Sequence, residues 1–443
     1  MALLTAPQPV RTPPAKRAGA GRLQARAKST PGRLVVLMTM VLALGLAAGV
    51  AWVIGASQRS SLANGVQSGS GQLAVQSQEL YRALSDADAT AASAFLSSGV
   101  EPADLRNRYQ SDIAAASAAL AAVSAGNRSK EVAVSQIAAQ LPVYTGLIET
   151  ARTYNRQGLP VGAAYLREAS GLMREQLLPA AQRLYQQASA DLDDERGGAG
   201  AFPWLALLLS LALVIVLIWA QARLSRQTHR TLNVGLLAAT LVAIVVVLWN
   251  GIAWVTVAAH LSAADRQGAA QVELLSKARI AALQARADEA LTLVARGNGQ
   301  SFEKDFTSQF GDLVNADGRS GLLNRARDAA TDDDVRAKLD AAIKDVNAWN
   351  TVHKQVRQTD DNGDYPAAVK LAIGGDPASA ASIFKRIDDN LGSAIRVTSS
   401  TFDRQAVAAA DALGGQTAGG VILTILLLAG VAVGYQQRIA EYR

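Results

Sequence analysis

The chain contains no cysteine and only three histidines, His229, His260 and His353. Without thiols it has no disulfide, no thiolate metal site and no cysteine nucleophile. The histidines lie too far apart to share a ligand spacing, so a zinc site is not expected. Aromatic residues make up 5% of the sequence, and sustained alternating β-branched runs are missing, which removes the usual strand signal. No G-x-S-x-G, Walker loop, H-E-x-x-H or kinase motif occurs. These absences argue against an enzyme and against a bound cofactor. The expected class is all-α and noncatalytic.

What is present is Ala and Leu, with half of the 443 residues apolar. The excess is gathered into four runs, Leu34–Ile54, Trp204–Ala220, Val234–Val255 and Val421–Tyr435, none of which holds Asp, Glu, Lys or Arg. Each, with its flanks, is long enough to cross a hydrocarbon core of about 30 Å as a helix. The sequence therefore divides into a basic tail (1–33), a first span (34–56), a segment (57–200), a second span (201–220), a hairpin loop (221–233), a third span (234–256), a second segment (257–414), a fourth span (415–435) and a short tail (436–443).

Charge sets the expected orientation. The first 33 residues hold seven basic residues and no acid, and the loop QARLSRQTHRTLN adds Arg223, Arg226 and Arg230. Residues 56–200 carry 12 basic against 14 acidic residues, and residues 262–414 carry 19 against 22. All of the positive excess falls on one side, which the positive-inside rule assigns to the cytoplasm. Both termini and the hairpin are expected inside the plasma membrane, and both large segments outside it. The basic balance then reads as topology plus attraction to anionic membrane lipid, with no nucleic-acid partner. The three hairpin arginines are the candidate dock for a cytoplasmic partner.

Each large segment reads as a four-helix up-down bundle, so the whole is a tandem duplication. In the first, Leu62, Val66, Leu73, Leu80, Leu84, Ala87, Ala91 and Phe95 recur in steps of three, four and seven, which mark one helix face. DADATAASAFLSSG ends at Gly99 as LQARADEALTLVARG ends at Gly297. Breaks are expected near 99, 126–127 and 158–160, and again near 297–300, 331 and 362–363. Thr331, with Asp334 three residues on, reads as an N-cap. TDDNGDYPAAVKL opens like a calcium loop, but Tyr365 stands where Gly is needed and Leu371 where Glu is needed; it reads as a turn between helices. The first and last helices of each segment exceed the middle pair in length. They are expected to pack as four, so that one chain imitates a dimer of a two-span receptor. Gly45 and Gly49 in span one, and Gly430 and Gly434 in span four, form G-x-x-x-G pairs that permit close helix approach. Arg82, Arg279 and Arg286 are candidates to hold a carboxylate, although arginines at such positions more often pair with neighbouring acids.

This layout of basic tail, two large helical segments, four-span frame and small hairpin resembles the actinobacterial GlnX-type membrane proteins. GLPVGAAYLREASGLMREQLLPAAQRLY and HKQVRQTDDNGDYPAAVKLAIG also resemble the outer four-helix domains of chemoreceptors and sensor kinases. The resemblance implies a noncatalytic transmembrane signal mediator in amino-acid sensing. Its implied partners are an extracytoplasmic amino-acid-binding (solute-binding) lipoprotein and a cytoplasmic Ser/Thr protein kinase. Direct small-molecule sensing of chemoreceptor type and a cell-envelope scaffold are the alternatives. The sequence does not name a ligand.

Overall fold

The computed structural model describes residues 30–97, 100–126, 131–228, 233–263, 268–315 and 320–440. Among them it is helical with no strand. The chain forms two compact units. One gathers residues 1–57, 202–253 and 415–443, and the other residues 58–201 and 254–414.

The first unit holds the apolar helices: α1 (Thr30–Ser68), α7 (Trp204–Thr228), α8 (Val234–Ala263) and α15 (Gln416–Ala440), of which α1 and α8 run on beyond it. All four are long and apolar enough to cross a membrane, making this a multi-pass membrane protein by length and composition. No more than 39% of any of their most apolar windows is buried. Leu46, Ile54, Leu241, Ile252 and Ile425 face outward, as a surface solvated by lipid requires.

Small residues set the contacts. Gly45 lies against Leu427 and Leu428, and Gly49 against Thr424. Gly235 lies so close to span four that a Cβ there would stand 2.6 Å from the Gly434 Cα and 2.7 Å from the Gly430 carbonyl oxygen. Asn233 caps α8: its Oδ1 accepts from the Gly235 amide at 3.1 Å, while its Nδ2 donates to the Gly434 carbonyl at 2.8 Å. Trp52 meets Trp249 edge-on at 5.7 Å.

The second unit contains both large segments. The first contributes α2 (Ser70–Phe95), α3 (Ala103–Gly126), α4 (Glu131–Arg156), α5 (Val161–Leu172) and α6 (Leu178–Gly200). A π turn at Met173–Leu177 joins α5 to α6. Pro179 follows it at the start of α6; a proline lacks the amide that an α-helical ladder needs, and the wider turn absorbs the defect. The second segment contributes α9 (Ala270–Val294), α10 (Gln300–Leu313), α11 (Leu322–Ala329), α12 (Asp333–Asp361), α13 (Tyr365–Ile373) and α14 (Ala380–Ala412).

Three details depart from the sequence reading. The second segment breaks twice more than expected, after Leu313 and at 374–379, where GGDP crowds turn-forming residues; residues 316–319 lie outside the described residues. The cap of α12 is Asp332, which accepts from the amides of Asp334 and Val335; Thr331 lies one residue too early. The helix of span two continues to Thr228, so Arg223 and Arg226 stand on its last turns, outside any open loop. At 361–364 Gly363 takes φ +87 and Asp364 caps α13, so this stretch is a turn between helices.

The two segments share their cores. Ala290, Leu291, Leu293 and Val294 of α9 enter the core of the first segment, and Ala89 of α2 enters that of the second. From Ala83 to Ala94 every residue of α2 is buried, and α9 is nearly as enclosed. Ala, Ser and Thr at these positions let helices close in on all sides. Gln78 donates to Ser276, 198 positions away. At the sequence-near ends, Phe402 of α14 packs with Ala74 of α2 and Ala188 and Leu192 of α6. The first and last helices of both segments line a cavity of about 230 Å³ there.

Candidate functional site

Enclosing α2 and α9 puts charge inside, because DADAT and ARADEA carry acids and an arginine on faces with no solvent. Buried charges must be paired and hydrogen-bonded. Three clusters do this, and two of them tie one segment to the other.

The first is a ladder across the segments. Arg82 on α2 donates to Glu79 at 2.7 Å and to Asp86 at 3.1 Å. Arg108 on α3 grips Asp86 at 3.0 and 3.1 Å and donates to Asp388 on α14 at 2.8 Å. Arg279 on α9 completes it, donating to Asp388 at 2.6 Å. Burial alone would raise the Asp388 pKa. The hydrogen bond and charge of Arg279, followed by Arg108, outweigh it and hold the carboxyl below its ordinary value. Asp112 has no such grip. It lies 3.8 Å from Arg82, and burial followed by the charge of Asp86 pushes it up to about 8. Glu79, Asp86, Asp112 and Asp388 face Arg82, Arg108 and Arg279, and the surplus carboxyl is the one that keeps its proton.

The second cluster centres on Arg174 of the π turn. It pairs with Asp288 of α9 and reaches Asp305 of α10 at 3.5 Å. Its guanidinium also stands 5.3 Å from the Phe302 ring centre. Burial pushes Asp288 up to about 7 despite the charge and hydrogen bond of Arg174. Close by, Asp88 accepts from Ser170 at 2.8 Å; burial raises it too, against Arg174, Ser170 and Tyr144. A π turn directing an arginine across an interface fits the tendency of such turns to mark functional places.

The third cluster lies within the second segment. Glu289 is paired with Arg286 and accepts from the Trp349 indole and His353 Nδ1, both at 3.1 Å. His353 Nε2 meets Glu303 at 3.0 Å, and Phe306 stacks on the ring at 3.7 Å. Burial opposes the imidazolium, but the hydrogen bonds to Glu289 and Glu303 win and push His353 up to about 9. This histidine is a charged strut between two carboxylates.

The residues singled out from sequence fall as follows. Arg82, Arg279 and Arg286 are held by Glu79 and Asp86, by Asp388 and by Glu289 respectively. Arg223 and Arg226 are exposed at the end of α7, with Arg223 5.5 Å from the Trp219 ring centre. Arg230 lies outside the described residues. Gly45, Gly49, Gly430 and Gly434 sit at the helix contacts described above. The sequence reading passed over Arg108, Arg174, Asp288, Glu289 and Asp388. Asp288 and Glu289 lie beside the apolar stripe of a helix with no free face, whereas Arg108 and Asp388 stand on helices that keep an exposed face.

Residues 62–197 match the actinobacterial sensor domain family. The match begins near the end of α1 and runs into the last turn of α6, taking in most of the first segment. No curated protein matches the chain, and no solved structure matches it.

Proposed function

We propose that the protein is a noncatalytic transmembrane signal mediator that couples an extracytoplasmic solute-binding lipoprotein to a cytoplasmic Ser/Thr protein kinase. The sensor-domain match supports a sensing role for the first segment. The observation that carries the reading is the Arg108–Asp388–Arg279 bridge between the segments. The bridge crosses an interface that also shares apolar core, so a small shift of one segment against the other would have to remake it, as two-state helix shifts do. A lipoprotein whose loaded and empty forms bind the two arrangements unequally would shift their balance. The positive-inside pattern places the segments outside and Arg223, Arg226 and Arg230 inside, where a kinase would read the change.

The test is co-purification from native membranes. Converting Arg223, Arg226 and Arg230 together to Gln, with topology verified, should reduce recovery of the kinase several-fold and leave recovery of the lipoprotein unchanged. Equal recovery of the kinase would rule out the hairpin as its dock.

A further inference from the structure

A cleft of about 650 Å³ opens between the segments and shares no residue with the three charged clusters. Its walls come from α2 and α6 of the first segment and from α9, α10 and α11 of the second. Sites for small ligands run to about 300–1,000 Å³, and this cleft falls inside that range. Charge does not single out an ion for it. Lys277 is held by Glu273 at 2.6 Å, and Arg325 shares the wall with Asp193 and Asp312. With both signs on one wall, an ion gains little over a neutral solute.

The wall is rich in neutral amides. Two of them are fixed across the segments: Gln78 donates to Ser276, and Gln284 is hydrogen-bonded to Tyr81. Three more, Gln182, Gln186 and Gln309, line the cleft, and their side chains make no hydrogen bond among the described residues. A carboxamide offers donors and an acceptor together. A hydroxyl group does the same, so unused amides on facing helices suit a ligand that carries several hydroxyls. Tyr81 and Tyr185 stand half-buried in the same wall. Each gives a rigid apolar ring face with a polar tip, and the C–H face of a sugar ring packs on such a surface.

We infer that this cleft binds an uncharged polyhydroxylated solute, a sugar of about one to three rings. A solute filling it lies between helices of both segments. Binding therefore favours the arrangement in which Gln78 meets Ser276 and Tyr81 meets Gln284. The site works without any protein partner and stands apart from the coupling proposed above.

The experiment uses the full-length protein in lipid nanodiscs, with no lipoprotein or kinase present. Calorimetric titrations with glucose, maltose and raffinose are run beside glycine betaine, a zwitterion, and succinate, a dianion. The expected result is saturable binding of at least one sugar with a Kd at or below about 1 mM, and none of the two ionic solutes. Gln182→Leu combined with Gln309→Leu should weaken that binding by about threefold or more. These side chains hold nothing in the unliganded protein, so the melting point of the double variant without sugar should not move. Ala190→Trp, at an exposed position of the same wall, should block the cleft. The inference is overturned if no sugar saturates at about tenfold higher concentration, if an ionic solute binds as tightly as the best sugar, or if either variant binds as the wild type does. Each of these failures leaves the kinase-recovery test of the coupling untouched.

Discussion

Arg108 donates to Asp388 at 2.8 Å across 280 positions of the chain. Asp388 is buried and, among the described residues, is paired with Arg108 and Arg279. Asp388→Asn should therefore leave Arg279 without its carboxylate. Breaking a fully buried pair costs about 3–5 kcal/mol. The Arg108 side chain is 32% exposed, and that solvent screening reduces the expected loss to about 2–3 kcal/mol. Thermal unfolding of the purified full-length variant measures it. In a cycle with Arg108→Gln, the coupling should be about 1 kcal/mol or more, and simple additivity would contradict a direct bridge.

The fold was legible where local chemistry governs. Charge-free runs marked all four apolar helices, and the Gly297 and Gly363 stops fell where positive φ was needed. The bridge was not legible. Arg108 and Asp388 each stand on an amphipathic helix with acids nearby, and their sequence neighbourhoods say nothing of a partner 280 positions away. The same holds for Arg174, whose reach to Asp288 depends on a π turn that only Pro179 hinted at. The sequence reads as two separate bundles; the structure gathers both segments into one unit because α2 and α9 present small residues all round, including the faces that carry charge.

Stability should depend on pH in a defined direction. Asp112 and Asp288 have folded pKa values near 8 and 7, above the ordinary 3.8, and His353 lies near 9, above 6.5. All three bind protons more tightly in the folded state. Their stabilisation is complete below the unfolded values and is lost as pH rises through the folded ones, by at most about 1.4 kcal/mol per pH unit for each group. Asp388 and Glu289 are held low and act in the opposite sense, costing stability only in stronger acid. The melting temperature should peak near pH 4 and fall from there to about pH 9, the aspartates acting between about 4 and 8 and His353 between about 6.5 and 9. Asp112→Asn with Asp288→Asn should flatten that fall; an unchanged slope would remove these carboxyls as its source.

The apolar helices offer a paired test. Gly235→Val places a Cβ 2.6 Å from the Gly434 Cα, where backbone must move. A loss of about 1–3 kcal/mol is expected, as for overpacking elsewhere. Gly251→Val is the control, since a Cβ there meets nothing within 4 Å. Melting curves in one detergent should separate the two; equal curves would mean that spans three and four do not approach closely at Gly235.

The most direct measurement uses the missing cysteines. A chain with no thiol of its own accepts a single designed pair, Gln78→Cys with Ser276→Cys, at positions where the two segments meet. In native membranes a short thiol cross-linker should join them rapidly within one chain. The rate should change several-fold when the solute-loaded lipoprotein is added. No intrachain product, or a rate indifferent to the loaded partner, would contradict a signal carried by the arrangement of the two segments.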